Sequence, residues 1–263
     1  MNPYLPIRKV PLDYNGIHSS AFAVQMQHTD DEWKEAGVVG NSYMLLPNKE
    51  VKNAAHQVAE ECKIDFVHDK TFFNGRNFVY SMKSQHVAGE VKAGDDVALG
   101  MQFWNSYDGS KAFGFAMMLY RLICTNGMMS KDHFNTYRFK HEPKSENWGE
   151  NLEQVVSNIN NLVGGKDMKG RAKLNDLIAN LRKLDALDVT TKKLGNIRHN
   201  YLQEIPVSLW GQIVDRFTHN VDHYSGWDLL NASTDLLWHK ENPTITTYGH
   251  NAAIVDGLCK AVA

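Results

Sequence analysis

Near residue 145 the spacing of apolar residues changes period, and no other feature constrains the fold of this chain as much. Before that point, short runs rich in β-branched and aromatic residues are separated by turn residues: SSAFAVQM (19–26), VVGNSYMLL (38–46), IDFVHDKTFF (64–73), NFVYSMKS (77–84), DVALGMQFWNS (96–106) and AFGFAMMLYRLIC (112–124). These predict strands. One helix is predicted among them over 48–63, with Val51, Ala54, Ala55, Val58, Ala59 and Cys62 on one face and Asn48 placed to cap its start. Asn74-Gly75 supplies the positive φ angles of a tight hairpin between two of the runs.

After residue 145 the apolar residues recur every three or four positions. Leu152, Val155, Val156, Ile159, Leu162 and Val163 form one stripe that stops at Gly164-Gly165, and Leu174, Leu177, Ile178, Leu181 and Leu184 form the next. Two such stripes around a glycine turn predict a helical hairpin. Further helices are predicted over 188–202, 206–223, 226–240 and 246–261, with KHEPKSENWG (140–149) as the most linker-like segment. The expected fold is α+β: an antiparallel sheet with its helix over 1–145, then a helical region over 146–263 packed on it.

Charge and cysteines bound the function. A formal net charge of -2 gives no global field to draw the chain onto nucleic acid or an anionic membrane, so such binding needs a local patch. Three widely spaced cysteines, Cys62, Cys124 and Cys259, argue against a disulfide framework or a CxxC zinc site. With no apolar leader-like run at the N-terminus and no window of about 20 apolar residues, the expectation is a soluble cytoplasmic protein with no membrane partner.

The stretch NSYDGSKAFGFAMMLYRLICTNG (105–127) reads as a hairpin turning at Asp108-Gly109-Ser110 into a buried strand, with Cys124 as a small core residue at its end. Arg121 interrupts that apolar run. A buried guanidinium needs a partner, which predicts an ion pair with a carboxylate such as Asp108 or, on a sharper reading, a phosphate contact at the sheet edge.

NSYDGS (105–110), RLICTN (121–126), RFKH (138–141) and WDLLNASTDLLWH (227–239) together resemble the phage/plasmid-like protein family of unknown function, catalogued as domain of unknown function 932. The resemblance runs over roughly residues 15–260, with Tyr107 where His is expected and Ile123 where Val is common. What it implies is a mobile-element origin and a kinship with single-strand annealing proteins of the Rad fifty-two type. It brings no established activity with it.

An annealing protein needs cations for the backbone and aromatic faces for unstacked bases. Lys111, Arg121, Lys131, Arg138 and Lys140 cluster in sequence with Phe103, Trp104, Tyr107, Phe134 and Tyr137 between them. A second basic segment spans 166–200, where nine Lys or Arg face four Asp, and it includes Lys169, Arg171 and Lys173. The candidate nucleic-acid contacts are therefore Lys111, Arg121, Arg138, Lys140, Lys169, Arg171 and Lys173, with Trp104 and Tyr107 as stacking platforms. The competing reading of the same residues is solvated helix faces and core aromatics. Expected partners are single-stranded nucleic acid, with a homo-oligomer left open.

Asp215, His219 and His223 recur at helical spacing in DRFTHNVDH, with His239 nearby, and such a face could gather a divalent metal. No HExxH, GxxxxGK[ST], GxGxxG or nucleophile elbow accompanies it. The expectation is accordingly no metal, no cofactor and no catalytic residue. A metal-dependent enzyme acting on nucleic acid or nucleotides is one alternative, and a non-enzymatic factor that modulates a host process is another.

Overall fold

The protein is α+β, and the computed structural model describes residues 1–29, 32–124, 126–132, 134, 136–141, 153, 156, 157, 168–219, 224–240 and 245–263. Nine strands come before residue 145 among these: β1 Ile7–Tyr14, β2 Ile17–Gln27, β3 Trp33–Gly40, β4 Phe66–Phe73, β5 Asn77–Lys92, β6 Asp95–Ser106, β7 Phe113–Arg121, β8 Asn126–Met129 and β9 Thr136–Phe139. The described helices are α1 Asn48–Cys62, α2 Met168–Ala186, α3 Thr191–Tyr201, α4 Val207–His219, α5 Gly226–Trp238 and α6 Ile245–Lys260. The stripe predicted over 152–163 and its Gly164-Gly165 stop fall almost wholly outside the described residues.

Strands β1-β2-β3 form one antiparallel sheet. The second sheet runs β4-β5-β6-β7-β8, and β9 pairs with β7 beyond the reach of β8: Phe113–Ala116 face β9, Met118–Arg121 face β8. Every residue of β7 from Phe113 to Tyr120 is buried, which is why its sequence is continuously apolar instead of alternating.

The predicted turns appear where glycine permits them, Gly75 at φ 91° and Gly109 at φ 70°. A further hairpin joins β1 to β2 through Asn15 (φ 50°) and Gly16 (φ 78°), a pair of left-handed residues that suits the twist of the flanking strands. Helix α1 buries the six predicted apolar residues, but Pro47 holds the N-cap position and Asn48 does not cap. Asn48 is instead a buried bracket. Its N–H donates to the Tyr107 hydroxyl at 2.9 Å, its Nδ2 donates to the Pro3 carbonyl at 3.1 Å, and its Oδ1 accepts from Asn105 Nδ2 at 2.9 Å.

The chain divides into two compact units, Met1–Met82 with Met101–Ala116 and Thr136–Ile159, and Lys83–Gly100 with Met117–Asn135 and Asn160–Ala263. Strands β5, β6 and β7 each give one stretch to either unit, and the linker-like segment 140–149 lies almost wholly outside the described residues. In the first unit Val24, Ala36, Val39 and Tyr107 form a core flanked by Ile7, Phe22, Tyr43, Leu45 and Phe73. In the second, α5 is the central helix, packing against α2, α4, α6 and β8. Ser225 and Asp228 close a reciprocal capping box at its start, and Ser233 and Thr234 turn their hydroxyls back to the Leu229 and Leu230 carbonyls, which lets α5 bury both hydroxyls among its apolar neighbours.

Candidate functional site

In the second unit the end of β7 and one face of α5 build a polar pocket. The Arg121 guanidinium meets the Asp95 carboxylate in a bidentate pair, Nε to Oδ1 and Nη2 to Oδ2, both at 2.7 Å, and Trp227 Nε1 donates to the same Oδ2 at 2.8 Å. Asp95, not Asp108, is therefore the partner of Arg121. Asp108 stays on the β6–β7 turn, where its Oδ1 accepts from the Ser110 N–H at 3.0 Å. Burial opposes ionisation of Asp95, but the Arg121 and Trp227 hydrogen bonds and the Arg121 charge outweigh it and hold this carboxyl below the usual aspartate range.

Cys124 is exposed, contrary to the buried position expected of it, because β7 ends at Arg121 and the chain leaves the sheet before β8 begins. The Arg121 Nη1 group donates to its Sγ at 3.3 Å. Cys62 and Cys259 are buried, and burial pushes each thiol up to about 12. Of the three thiols, Cys124 is expected to be modified rapidly in the native protein by a charged aromatic disulfide, with Cys62 and Cys259 reacting only on unfolding. Peptide mapping of the labelled protein checks this, and a slow Cys124 would contradict the placement.

Asp228, Asn231, Ala232 and Asp235 fall at i, i+3, i+4 and i+7 on α5, hence on one face. With Arg121, Cys124, Asn126 and Arg216 they line a cavity of about 340 Å3. Asp235 pairs with Arg216 of α4, and His239 Nε2 lies 3.0 Å from Asn126 Oδ1, so these side chains fasten α5 to its neighbours. Asn231 does not. It is 7% exposed, and neither its Nδ2 nor its Oδ1 has a hydrogen-bond partner. The pocket thus joins RLICTN to WDLLNASTD, two segments about 100 residues apart in sequence. Arg216 and Asp228 were not among the expected site residues; Asp228 shares its face of α5 with Asp235 by spacing, whereas Arg216 comes from another helix and no spacing marks it.

A second cleft lies in the first unit. Lys111 and Lys140 line a cavity of about 320 Å3 together with Gly40, Tyr43, Gly109 and His141. The Tyr43 and His141 rings stack with centroids 4.6 Å apart. The Tyr43 hydroxyl donates to the Ser106 carbonyl at 2.6 Å, and His141 Nδ1 lies 3.0 Å from the Met44 carbonyl. Burial lowers the His141 pKa more than that hydrogen bond raises it, so the imidazole is neutral near pH 7 and the cationic character comes from the lysines.

The remaining expected contacts are scattered. Arg138 is exposed on β9, opposite Gly114 of β7. Lys173 is exposed on α2, while Lys169 and Arg171 belong to the same helix with side chains outside the described set. Within the basic helical segment, Arg182, Lys193 and Arg198 each donate to a backbone carbonyl, of Glu90, Asp188 and Ile205. Trp104 and Tyr107 are core side chains, 8% and 1% exposed, and offer no open ring face. The Trp104 ring lies where a Cβ on Gly114 would sit, so glycine there is what admits the indole.

On α4, His219 Nδ1 is 2.7 Å from the Asp215 carbonyl and both residues are exposed, while His223 lies outside the described residues. Among the described residues no three His, Cys, Asp or Glu side chains come together as a metal site. No described helix is long and apolar enough to cross a membrane.

Residues 35–242 match the family described as Domain of unknown function (DUF932), and the chain belongs to it. No curated protein and no solved structure matches the chain.

Proposed function

We propose that this member of the DUF932 family binds single-stranded nucleic acid without ATP and serves strand annealing or recombination in a phage or plasmid, in kinship with annealing proteins of the Rad fifty-two type. The observation that carries the reading is the pair Lys111 and Lys140 in one cleft of the first unit, with Arg138 two residues before Lys140. Three cations on one unit, two of them only two residues apart, are what a phosphate backbone requires, and a protein of net charge -2 has to concentrate them. Tyr43 is the aromatic side chain that lines this cleft, in place of the buried Trp104 and Tyr107.

The mechanism is electrostatic capture of phosphates, with little dependence on sequence and with no covalent step. Filter binding of mixed-sequence single-stranded DNA and RNA to the intact protein at about 20 mM salt, where screening is weakest, tests it. Binding that weakens steeply with added salt is expected. A folded protein that retains neither polymer under those conditions sinks the reading and leaves a non-enzymatic interaction factor in its place.

A further inference from the structure

The lysine cleft of the first unit has room for one group and not for a run of them. Its lining comes from three segments: the loop after β3 with Ser42 and Tyr43, the β6–β7 turn with Lys111, and the residues after β9, Lys140 and His141. These segments are fastened to one another. The Met44 N–H donates to the His141 carbonyl at 2.9 Å, and the Tyr43 hydroxyl donates to the Ser106 carbonyl. Lys9 of β1 reaches the same loop, where its Nζ donates to the Asn41 and Tyr43 carbonyls at 2.7 and 3.0 Å. A site whose walls are already held gives up little freedom on binding.

The charge of the lining has one sign. Lys111 and Lys140 bring ammonium groups, His141 is neutral near pH 7, and among the described residues that line the cleft there is no carboxylate. Asp108 stands next to the lining on the turn, where its Oδ1 already accepts from the Ser110 N–H. Lys9 adds a third ammonium beside the Tyr43 carbonyl, held by neutral groups. Such a lining suits an anion of more than one charge. An internal phosphodiester carries one, whereas a phosphate monoester carries roughly 1.5 to 2 at pH 7. Size points the same way. A track for an unstacked strand covers roughly 4–16 nucleotides, but this cleft is about 320 Å3, the lower end of the range for small-ligand sites, and Arg138 lies outside its lining.

We infer that the cleft is a binding site for a phosphate monoester, seated between Lys111 and Lys140. This rests on the reading that the cleft takes nucleic acid, and deepens it: the terminal phosphate of a strand fills the cleft, and the strand leaves past Arg138, two residues before Lys140. A free mononucleotide presents the same group, and the test separates the two sources.

Filter binding compares strands of one sequence that carry a 5′-phosphate, a 3′-phosphate or neither, with an unphosphorylated strand one nucleotide longer and a circular strand as controls. One of the phosphorylated ends is expected to bind roughly tenfold or more tighter than every control, the gain expected of charge-assisted hydrogen bonds that the others lack. The longer strand carries a similar total charge, so a mere gain in charge would favour it as much. Lys111→Gln, an exposed position whose change is expected to leave Tm in place, is expected to abolish that advantage, and Lys173→Gln on the second unit to keep it. Adenosine 5′-monophosphate that competes with the phosphorylated strand where adenosine does not assigns the site to any phosphate monoester; failure to compete assigns it to the strand end. Equal binding of phosphorylated, unphosphorylated and circular strands overturns the inference and leaves a cleft that holds internal phosphates. An advantage that survives Lys111→Gln also overturns it. Stabilisation by adenosine 5′-monophosphate that Lys111→Gln removes, in a protein that retains no strand, keeps the monoester site and overturns the polymer reading.

Discussion

Asp95→Ala is expected to cost about 3–5 kcal/mol of stability, the range for breaking one partner out of a buried ion pair. The carboxylate is 2% exposed and receives three donors, two from Arg121 and one from the fully buried Trp227 indole. Its removal leaves a largely buried guanidinium without its counter-charge and an indole N–H without an acceptor. The double variant Asp95→Leu with Arg121→Met is expected to recover much of the loss, since two apolar groups of similar volume leave no charge behind. Denaturant unfolding of the wild type, Asp95→Leu, Arg121→Met and the double variant measures the coupling, and additive losses would mean that the pair is not acting as a unit.

The same site predicts a pH dependence. Because the folded Asp95 carboxyl titrates below its unfolded value, its contribution is complete above the ordinary aspartate range and is lost as pH falls through the lower, folded value. Asp256 works in the opposite direction: burial raises it, against the opposing hydrogen bonds from Ser130 and Lys131, so stability gains a contribution as pH falls through that raised value. Thermal melts of the wild type in acid are expected to show a loss of stability that Asp95→Ala lacks and that grows steeper in Asp256→Asn.

Much of the fold was legible because local chemistry decides it. The continuous run of β7, the Asn74-Gly75 turn and the apolar face of α1 each follow from a few neighbouring residues. The β1–β2 hairpin was not read, although Asn15-Gly16 marks its turn, because Pro11 and the charged Arg8 and Lys9 mask the strand before it, and the register shifts between Pro11 and Asp13. Capping was misread at Asn48 because composition alone cannot tell a cap from a buried carboxamide that brackets Pro3, Asn105 and Tyr107.

The site was legible in its parts and not in its assembly. Spacing places Asp228, Asn231 and Asp235 on one face of α5, yet spacing says nothing of what that face meets, and Arg121 and Cys124 come to it from about 100 residues away. The aromatics failed for a different reason. Where both faces of a strand are buried, alternation no longer marks an outside, so Trp104 on β6 read as well for a stacking platform as for the core residue that it is.

Neutralising Lys111, Arg138 and Lys140 together with glutamine is expected to give the largest change in polymer binding. If each cation holds one phosphate, each removal lowers the log-log salt slope for a single strand by about 0.7, and the three together by about 2. Counterion release then makes the deficit itself depend on salt: on the order of 500-fold in affinity at about 50 mM, shrinking to about 30-fold at about 200 mM. Such convergence separates lost phosphate contacts from a general weakening, which would shift both curves by a constant factor. All three side chains carry charge on the surface of the first unit, so Tm is expected to move little. Trp104→Ala is the contrasting variant. Its ring is part of the core over Gly114, and its loss is expected to cost about 3–5 kcal/mol, so any fall in its binding has to be read beside its melting curve. Lys173→Gln asks whether α2 shares the strand with the cleft: an unchanged slope confines binding to the first unit, and a drop of about 0.7 extends it. A triple variant that keeps the wild-type slope would show that the strand, if bound, is held elsewhere, because no other property of these three residues survives the substitution to act in their place.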